Sequence, residues 1–296
     1  MPSFSLKQIE IRITLAQGSF GGKGTEKVIN GLPVDVEVTK TGGDEKPSCT
    51  VSIGGMSYSD MEQLTTLAFR PLQTRKNLIA VFAGDTENGL SQVFAGEITT
   101  AAADFKNAPD VRFEIEAISG YYPSLMAAGP QTIAGNAPVA DIISQQAQIM
   151  GYEFRNEGVT TQLSNCILNG SPMQKARAAA RQAGATLLID DNALVLLPPG
   201  KERKGTTILL SENSGMMGYP SFSNDGISID AIFNPAFQIG GLVEVQTVVP
   251  KASGLWRIVK LEHKLSANDP GGTDWTTSLD AVYVAEKTAS TTQGTV

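Results

Sequence analysis

Asp190 and Asp191 are the residues of this 296-residue chain most suggestive of acid–base chemistry. Cleaving a glycosidic bond needs two carboxyl groups flanking it, one of them kept protonated by its surroundings. Neighbours in the turn Asp190-Asp191-Asn192 meet neither demand, because short polar side chains there bond their own backbone and a solvated turn supplies no desolvation. Two hydrated turn residues are therefore expected. Asp225 beside Gly226 and Asp269 beside Pro270 take the same reading. His263, alone of its type, removes most zinc sites, Ser-His-Asp triads and histidine-based proton transfer. It alternates with Val259 and Leu261, which predicts a half-buried or edge histidine with a structural partner. The stretch Gly18-Ser19-Phe20-Gly21-Gly22-Lys23-Gly24-Thr25 has the glycines of a phosphate loop, but Gln17 stands where the first Gly should be and Gly24 where Ser or Thr should be. A surface loop between strands is expected. There is no G-x-S-x-G elbow and no calcium loop. The sequence therefore assigns no catalytic, cofactor-binding or metal-ligating residue.

Cys49 and Cys166 lie far apart and form no metal-like spacing. Cys49 alternates with Val51 and Ile53, as a buried strand thiol would. Trp256 and Trp275, without polar clusters around them, read as core or inter-subunit anchors rather than sugar platforms.

Lys and Arg number 23 against 30 Asp and Glu, for a formal charge of −7. That balance opposes binding to nucleic-acid phosphates, which needs clustered cations. The densest basic stretches are residues 201–204, in an expected linker, and Lys175, Arg177 and Arg181, on the expected outer face of a helix. Both read as solvated. No apolar run reaches the roughly 20 residues of a membrane span. Residues 1–16 alternate polar and apolar instead of forming a signal peptide, so a mature chain starting there, made in a cytoplasm, is expected.

The elements that would position these residues are mostly strands. Ile9, Ile11, Ile13 and Leu15 point one way while Glu10, Arg12 and Thr14 point the other, the period of a half-buried strand. The pattern recurs at Val34, Val36, Val38, at Cys49, Val51, Ile53, and at Val111, Phe113, Ile115, Ala117. Residues 77–83 and 92–98 read as a pair joined by a turn over 84–89. One short helix interrupts them: Ser59 and Glu62 suggest a capping box, Met61, Leu64 and Ala68 share a face, and Arg70-Pro71 ends it. Residues 127–138 read as a linker. A helix then follows on the stripe Val139, Ile142, Ile143, Ala147, Met150, ending at Gly151. A second begins at Ser171-Pro172, turns Met173, Ala176, Ala180 and Ala183 inward, and stops at Gly184. Residues 186–189 and 193–197 read as a hairpin. Pro198-Pro199-Gly200 marks a boundary, after which strands are expected at 207–210, 227–233, 242–249, 255–265 and 275–284, with a turn at Asn224-Asp225-Gly226. Residues 285–296 read as a loose tail. The class is mainly β with a small α/β insert: 1–126 an N-terminal β domain, 127–200 the insert, 201–285 a C-terminal β domain, and 286–296 a tail.

Two stretches then carry a resemblance. One runs through Thr50-Val51-Ser52-Ile53-Gly54-Gly55-Met56, Met61-Glu62-Gln63-Leu64-Thr65, Lys76 to Asp85 and Val93-Phe94-Ala95-Gly96-Glu97-Ile98. The other runs through residues 233–245, then Gly254-Leu255-Trp256-Arg257-Ile258-Val259-Lys260-Leu261-Glu262-His263, and ends Asp274-Trp275-Thr276-Thr277-Ser278-Leu279-Asp280-Ala281. Together they resemble the tail (baseplate) hub proteins of tailed bacteriophages, related to the hubs of contractile injection systems and to the base of secretion-system spike proteins. The resemblance implies a ring-shaped homotrimer of tube-type β-barrels, two per subunit, which matches a six-fold tail tube to a three-fold central spike. It implies tube or tape-measure protein above the ring and a separate spike protein below, since no attached lysozyme or needle domain is seen. The tail after residue 285 would help to hold that spike. Localisation would be the virion tail. A trimer would carry three times −7, or −21, and the expected acidic lumen would repel passing DNA without sequence-specific binding. Two alternatives stand beside this. One is the hub of a bacterial injection or secretion machine or tailocin; the other is a peptidoglycan hydrolase used in entry, which would need a cleft with two suitably spaced acids.

Overall fold

A computed structural model describes residues 5–17, 19–20, 24–65, 77–106, 108–223 and 225–285. The N-terminal region comprises strands β1 (Lys7–Thr14), β2 (Glu26–Asn30), β3 (Val34–Thr41) and β4 (Ser48–Gly54), helix α1 (Tyr58–Leu64), strands β5 (Leu78–Asp85), β6 (Gly89–Asp104) and β7 (Arg112–Ile118), and helix α2 (Tyr121–Leu125). The middle region holds β8 (Gln131–Pro138), α3 (Val139–Met150), β9 (Glu153–Asn156), β10 (Gln162–Leu168), α4 (Pro172–Gln182), β11 (Thr186–Asp190) and β12 (Ala193–Leu197). The C-terminal region holds β13 (Ile208–Ser211), β14 (Met216–Phe222), β15 (Ile227–Ile232), β16 (Leu242–Gln246), β17 (Gly254–Ala267) and β18 (Trp275–Ala285).

The strands of the two outer regions form one 13-stranded sheet, in the order β14-β15-β18-β17-β3-β4-β7-β6-β5-β1-β2, with β16 beside β17 and β13 beside β16. The seam is the antiparallel pair β3–β17, in which Val38 faces His263 and Val36 faces Leu265. Neither outer region closes into a barrel of its own among the described residues: β2, β13 and β14 each pair on one side only.

Alternation decides the faces. Val34, Val36 and Val38 of β3, Val51 and Ile53 of β4, and Phe113 and Ile115 of β7 enter the N-terminal core, which also takes Leu265 and Ala267 from β17. Strand β17 holds its period only by slipping once. A bulge between Ile258 and Lys260 leaves Val259 out of phase, so Trp256 and Ile258 are buried before it and Leu261, His263 and Leu265 after it. Gly42 answers the bulge: its N–H donates to Val259 O at 2.8 Å.

The middle region has its own core, in which Val139, Ile143 and Ala147 of α3 and Met173, Ala176 and Ala180 of α4 pack together over Leu187, Ile189, Leu194 and Leu196. The other face of the same hairpin, Leu188, Val195 and Leu197, belongs to the C-terminal core. Strand β12 is buried at every position, as an apolar run covered on both faces must be. Helix α4 starts at Ser171 with a full capping box to Gln174 and Pro172 in the first turn, and α3 ends at Gly151 with φ +75°.

Several local expectations shift. The cap of α1 is Ser57 with Asp60, two residues before the Ser59/Glu62 pair. Residues 131–138 are strand β8, paired with β10, rather than linker. Strand β6 runs 16 residues, well past residue 98. Gly18, residues 21–23, Ala68, Arg70-Pro71, Lys76, Asn224 and the tail 286–296 lie outside the described residues.

Candidate functional site

Asp190 and Asp191 sit in the predicted turn, with Asp191 at φ +53°, but not in water. Lys40 Nζ lies 3.1 Å from Asp190 Oδ1 and 2.9 Å from Asp191 Oδ1, and Arg203 Nη1 donates to Asp190 Oδ2 at 2.6 Å. The side chains of Lys40 and Arg203 are 9% and 4% exposed, those of Asp190 and Asp191 16% and 14%. Asp191 Oδ1 also accepts from the N–H of Ala95 at 3.1 Å. Burial pushes the Asp190 carboxyl up, yet Lys40 and Arg203 outweigh it and hold it at about 2. Burial also governs Asp191, whose carboxyl is raised because Lys40 offsets only part of the cost and Asp190 adds to it. Burial disfavours the Lys40 ammonium, but Asp191 and Asp190 more than compensate and raise it. The solvated-turn expectation is overturned. A closed ion cluster of two acids and two cations joins β3, the β11–β12 hairpin and the chain just after it, and leaves neither carboxylate free to work on a substrate.

The two basic stretches are solvated only in part: Lys201 and Lys204 are exposed as expected, but one residue of each stretch is buried. Arg203 is buried in that cluster. Lys175 is buried on α4, its ammonium donating to Gly129 O at 2.5 Å. Arg181 is exposed as expected, paired with Asp44. His263 is fully buried on a central strand, with Nδ1 2.8 Å from Thr277 Oγ1 and its ring edge-on to Phe233. Burial, reinforced by Lys40, lowers its pKa to about 3. It has the structural partner the sequence called for, though not an edge position. Cys49 is a buried strand thiol, raised by burial, and Cys166 is half-buried. Trp256 is a core residue whose indole donates to Ala252 O, and Trp275 packs against the N-terminal core. Asp225 is exposed, whereas Asp269 both caps its turn through the Gly271 N–H and pairs with Arg112. Phe20 is buried, its N–H bonded to Gly24 O at 2.8 Å.

The face of the long sheet opposite its core is polar. The register sets its residues in rows that cross the seam. One row runs Thr276, Lys264, Glu37, Thr50, Glu116, Thr100. The next runs Asp230, Ser278, Glu262, Thr39, Ser48, and another Ser266, Asp35, Ser52, Glu114. The carboxylates Asp35, Glu37, Glu114, Glu116, Asp230, Glu262 and Asp280 outnumber the cations Arg112, Arg257, Lys260 and Lys264 on these strands, and hydroxyls fill the positions between. Short hydrogen bonds tie the surface together: Ser52 to Glu114, Ser266 to Asp35 and Ser278 to Asp230, each 2.6 Å. Lys264 lies 3.0 Å from Glu262 and 3.8 Å from Glu37. A hydrogen bond from Lys264 lowers the Glu262 carboxyl.

Such a face can do little covalent chemistry. It is hydrophilic, rich in short hydroxyls, weighted toward acid and held by its ladder. A polyanion beside it meets more like than unlike charge, so it gains no lasting contact. Arg112 and Lys264 are already engaged with carboxylates, which leaves them less able to hold a polyanion.

Lys40 is the residue that reading from the sequence missed. It occupies the core-facing phase of Val34, Val36 and Val38, and a cation in an apolar phase signals a buried carboxylate partner. Glu97 was missed likewise. It is buried, accepts from the Tyr121 N–H at 3.0 Å, and lies beside Tyr152, whose hydroxyl accepts from the Gly120 N–H at 2.9 Å.

Comparison with known proteins agrees with this architecture. A tail protein from Neisseria meningitidis MC58 superposes with a TM-score of 0.64 at 11% identity, covering 94% of this chain and 96% of that one. The 43 kDa tail protein of prophage MuSo2 from Shewanella oneidensis gives 0.62 at 11% identity, covering 93% and 96%. The E. coli c3393 protein, a component of the type VI secretion system similar in structure to the T4 tail proteins gp27 and gp5, gives 0.58 at 9% identity, covering 86% and 74%. At these identities the likeness establishes the fold. No curated protein matches by sequence. The family model for baseplate hub gp41 matches residues 9–271, and by that match over most of its length the chain belongs to the baseplate hub gp41 family.

Proposed function

We propose that this chain is a structural hub of a bacteriophage tail, three copies of which form a ring between a six-fold tail tube and a three-fold central spike. The observation that carries the reading is the polar, acid-weighted face that crosses from the N-terminal to the C-terminal β region without a break at the β3–β17 seam. Two tube-like β units per subunit, residues 1–126 and 201–285, with 127–200 as an α/β brace between them, supply six similar walls from three chains. Their polar faces turned inward make a channel that repels DNA phosphates and lets the genome slide. The work is done by shape, and the chain carries no catalytic role. Tube and tape-measure proteins are the partners above and a separate spike protein is the partner below, held in part by residues 286–296. The finished protein resides in the virion tail after synthesis in the host cytoplasm.

Native mass spectrometry of the purified chain, alone and co-expressed with its spike, tests the ring. Three chains per particle is the expected result, and a single chain in both preparations contradicts it. Deleting residues 286–296 is expected to reduce spike retention in the same spectra. The same architecture serves a bacterial injection machine or tailocin; the family match favours the phage. A zymogram on purified cell wall is expected to stay blank, and clearing would revive the hydrolase reading.

A further inference from the structure

A recess of about 190 Å³ lies where the three regions meet. The turn after β3 brings Gly42 and Gly43 to it, the β11–β12 hairpin brings Leu188 and Leu197, and the C-terminal region brings Ile239, Gly240 and residues 257–259 of β17. Leu188, Leu197, Ile239 and Ile258 are buried and make its lining apolar, and the glycines add bare backbone. The two charged residues that line it, Lys201 and Arg257, are both cations. Arg257 Nη1 donates to Lys201 O at 3.2 Å, and neither side chain has an ion pair among the described residues. Cations continue around the same turn. Asp44 is shared between Arg181 at 2.6 Å and Arg177 at 3.9 Å, and Lys260 stands opposite Thr41. Glu45 and Glu202 are the other carboxylates on these segments, so positive charge is in excess here on a chain whose formal charge is −7.

We propose that this recess docks an acidic segment of a partner protein, with one apolar side chain entering it and neighbouring carboxylates meeting Lys201 and Arg257. A cavity of roughly 150 Å³ is enough to hold a benzene ring, so one side chain of leucine or phenylalanine size fits. Unpaired cations beside an apolar lining favour an occupant that carries both features, and the local excess of positive charge steers an acidic partner toward it. Nucleic acid would satisfy the cations and leave the apolar lining unused, and a neutral apolar ligand would do the reverse. The site lies within one chain, so it stands or falls separately from the ring.

The 296-residue chain with isotope-labelled Ile and Leu methyl groups, titrated with the peptide acetyl-Glu-Asp-Phe-Glu-Asp-amide and followed by NMR, tests the inference. Shifts centred on the methyl groups of Leu188, Leu197, Ile239 and Ile258 are expected at millimolar peptide. Replacing the peptide's Phe by Ser is expected to weaken binding at least about tenfold. The double variant Lys201→Glu with Arg257→Glu is expected to do the same while keeping the wild-type circular dichroism. Thr186→Phe, which fills the recess and leaves both cations in place, is expected to weaken binding as well. No shifts, or shifts centred elsewhere, would overturn the inference. Binding indifferent to the charge reversal would show an occupant that needs no acid and overturn it too. Displacement of the peptide by a short DNA duplex would assign the cations to phosphates, and octanoate binding as tightly as the peptide would assign the recess to a free amphiphile; either result overturns the docked segment.

Discussion

Strand β3 is held at its two ends by two ionic networks that differ in their contact with water. At one end Lys40 meets Asp190, Asp191 and, through them, Arg203, the cations buried and the acids largely so. At the other, Asp35 meets Arg112, which also reaches Asp269, in a network where Arg112 is 34% and Asp35 39% exposed. Both join segments remote in sequence at the seam of the long sheet. The buried network fixes where the middle region sits, because its charges have no acceptable alternative partner. The open network lies on the polar face, where water can replace each contact at small cost. Burial thus turns one set of ion pairs into a structural lock and leaves the other as a surface of spaced charge.

Breaking the lock should have the largest effect. Lys40→Met leaves two carboxylates with only Arg203 near them and should cost about 3–5 kcal/mol, read by urea denaturation. Adding Asp191→Asn should return part of that loss, since it removes the acid that burial already disfavours.

Acid probes the same contrast. His263, midway along the seam, stays neutral in the folded state because burial, helped by Lys40, lowers its pKa to about 3. The unfolded chain takes up the proton near the ordinary pKa of 6.5, so stability should fall as pH drops from 6.5 toward 3, by up to about 1.4 kcal/mol per pH unit. His263→Leu, less stable at neutral pH for its stranded Thr277 hydroxyl, should lack that slope. Asp190 adds a second loss between its ordinary 3.8 and about 2, because its folded carboxylate outlasts the unfolded one. Asp190→Asn should remove that lower phase only, as followed by circular dichroism across pH.

The open network should respond weakly. Arg112→Ala should cost about 1 kcal/mol or less, and the difference should shrink at high salt. Smallest of all is Arg181→Ala, which removes an exposed pair with Asp44 and should leave the melting curve unchanged.

Much of this arrangement is legible in the amino-acid order. The alternation at Val34, Val36, Val38 and at Phe113, Ile115 shows which side chains enter the core and, by default, that Glu37, Glu114 and Glu116 do not. The run Ala193-Leu194-Val195-Leu196-Leu197 has the form of a strand covered on both faces, and Ser171-Pro172 and Gly151 mark real helix ends. Alternation does not reveal partners, however. That β3 pairs with β17, more than 200 residues away in sequence, depends on long-range packing. Arg203 and Lys175 mislead because charge clusters are usually hydrated, and only the folded chain brings Asp190 and Gly129 O within reach. Strand β14 is hidden by Gly218 and Pro220, which break the local β pattern although the edge tolerates both.

The most direct test of the whole account is an electron cryo-microscopy reconstruction of the assembled tail tip, fine enough to place β3 and β17. The account predicts three copies around the axis with Glu37, Glu116 and Glu262 facing the lumen. A ring whose lumen is lined by another surface, with those three carboxylates on its outer wall, would contradict it.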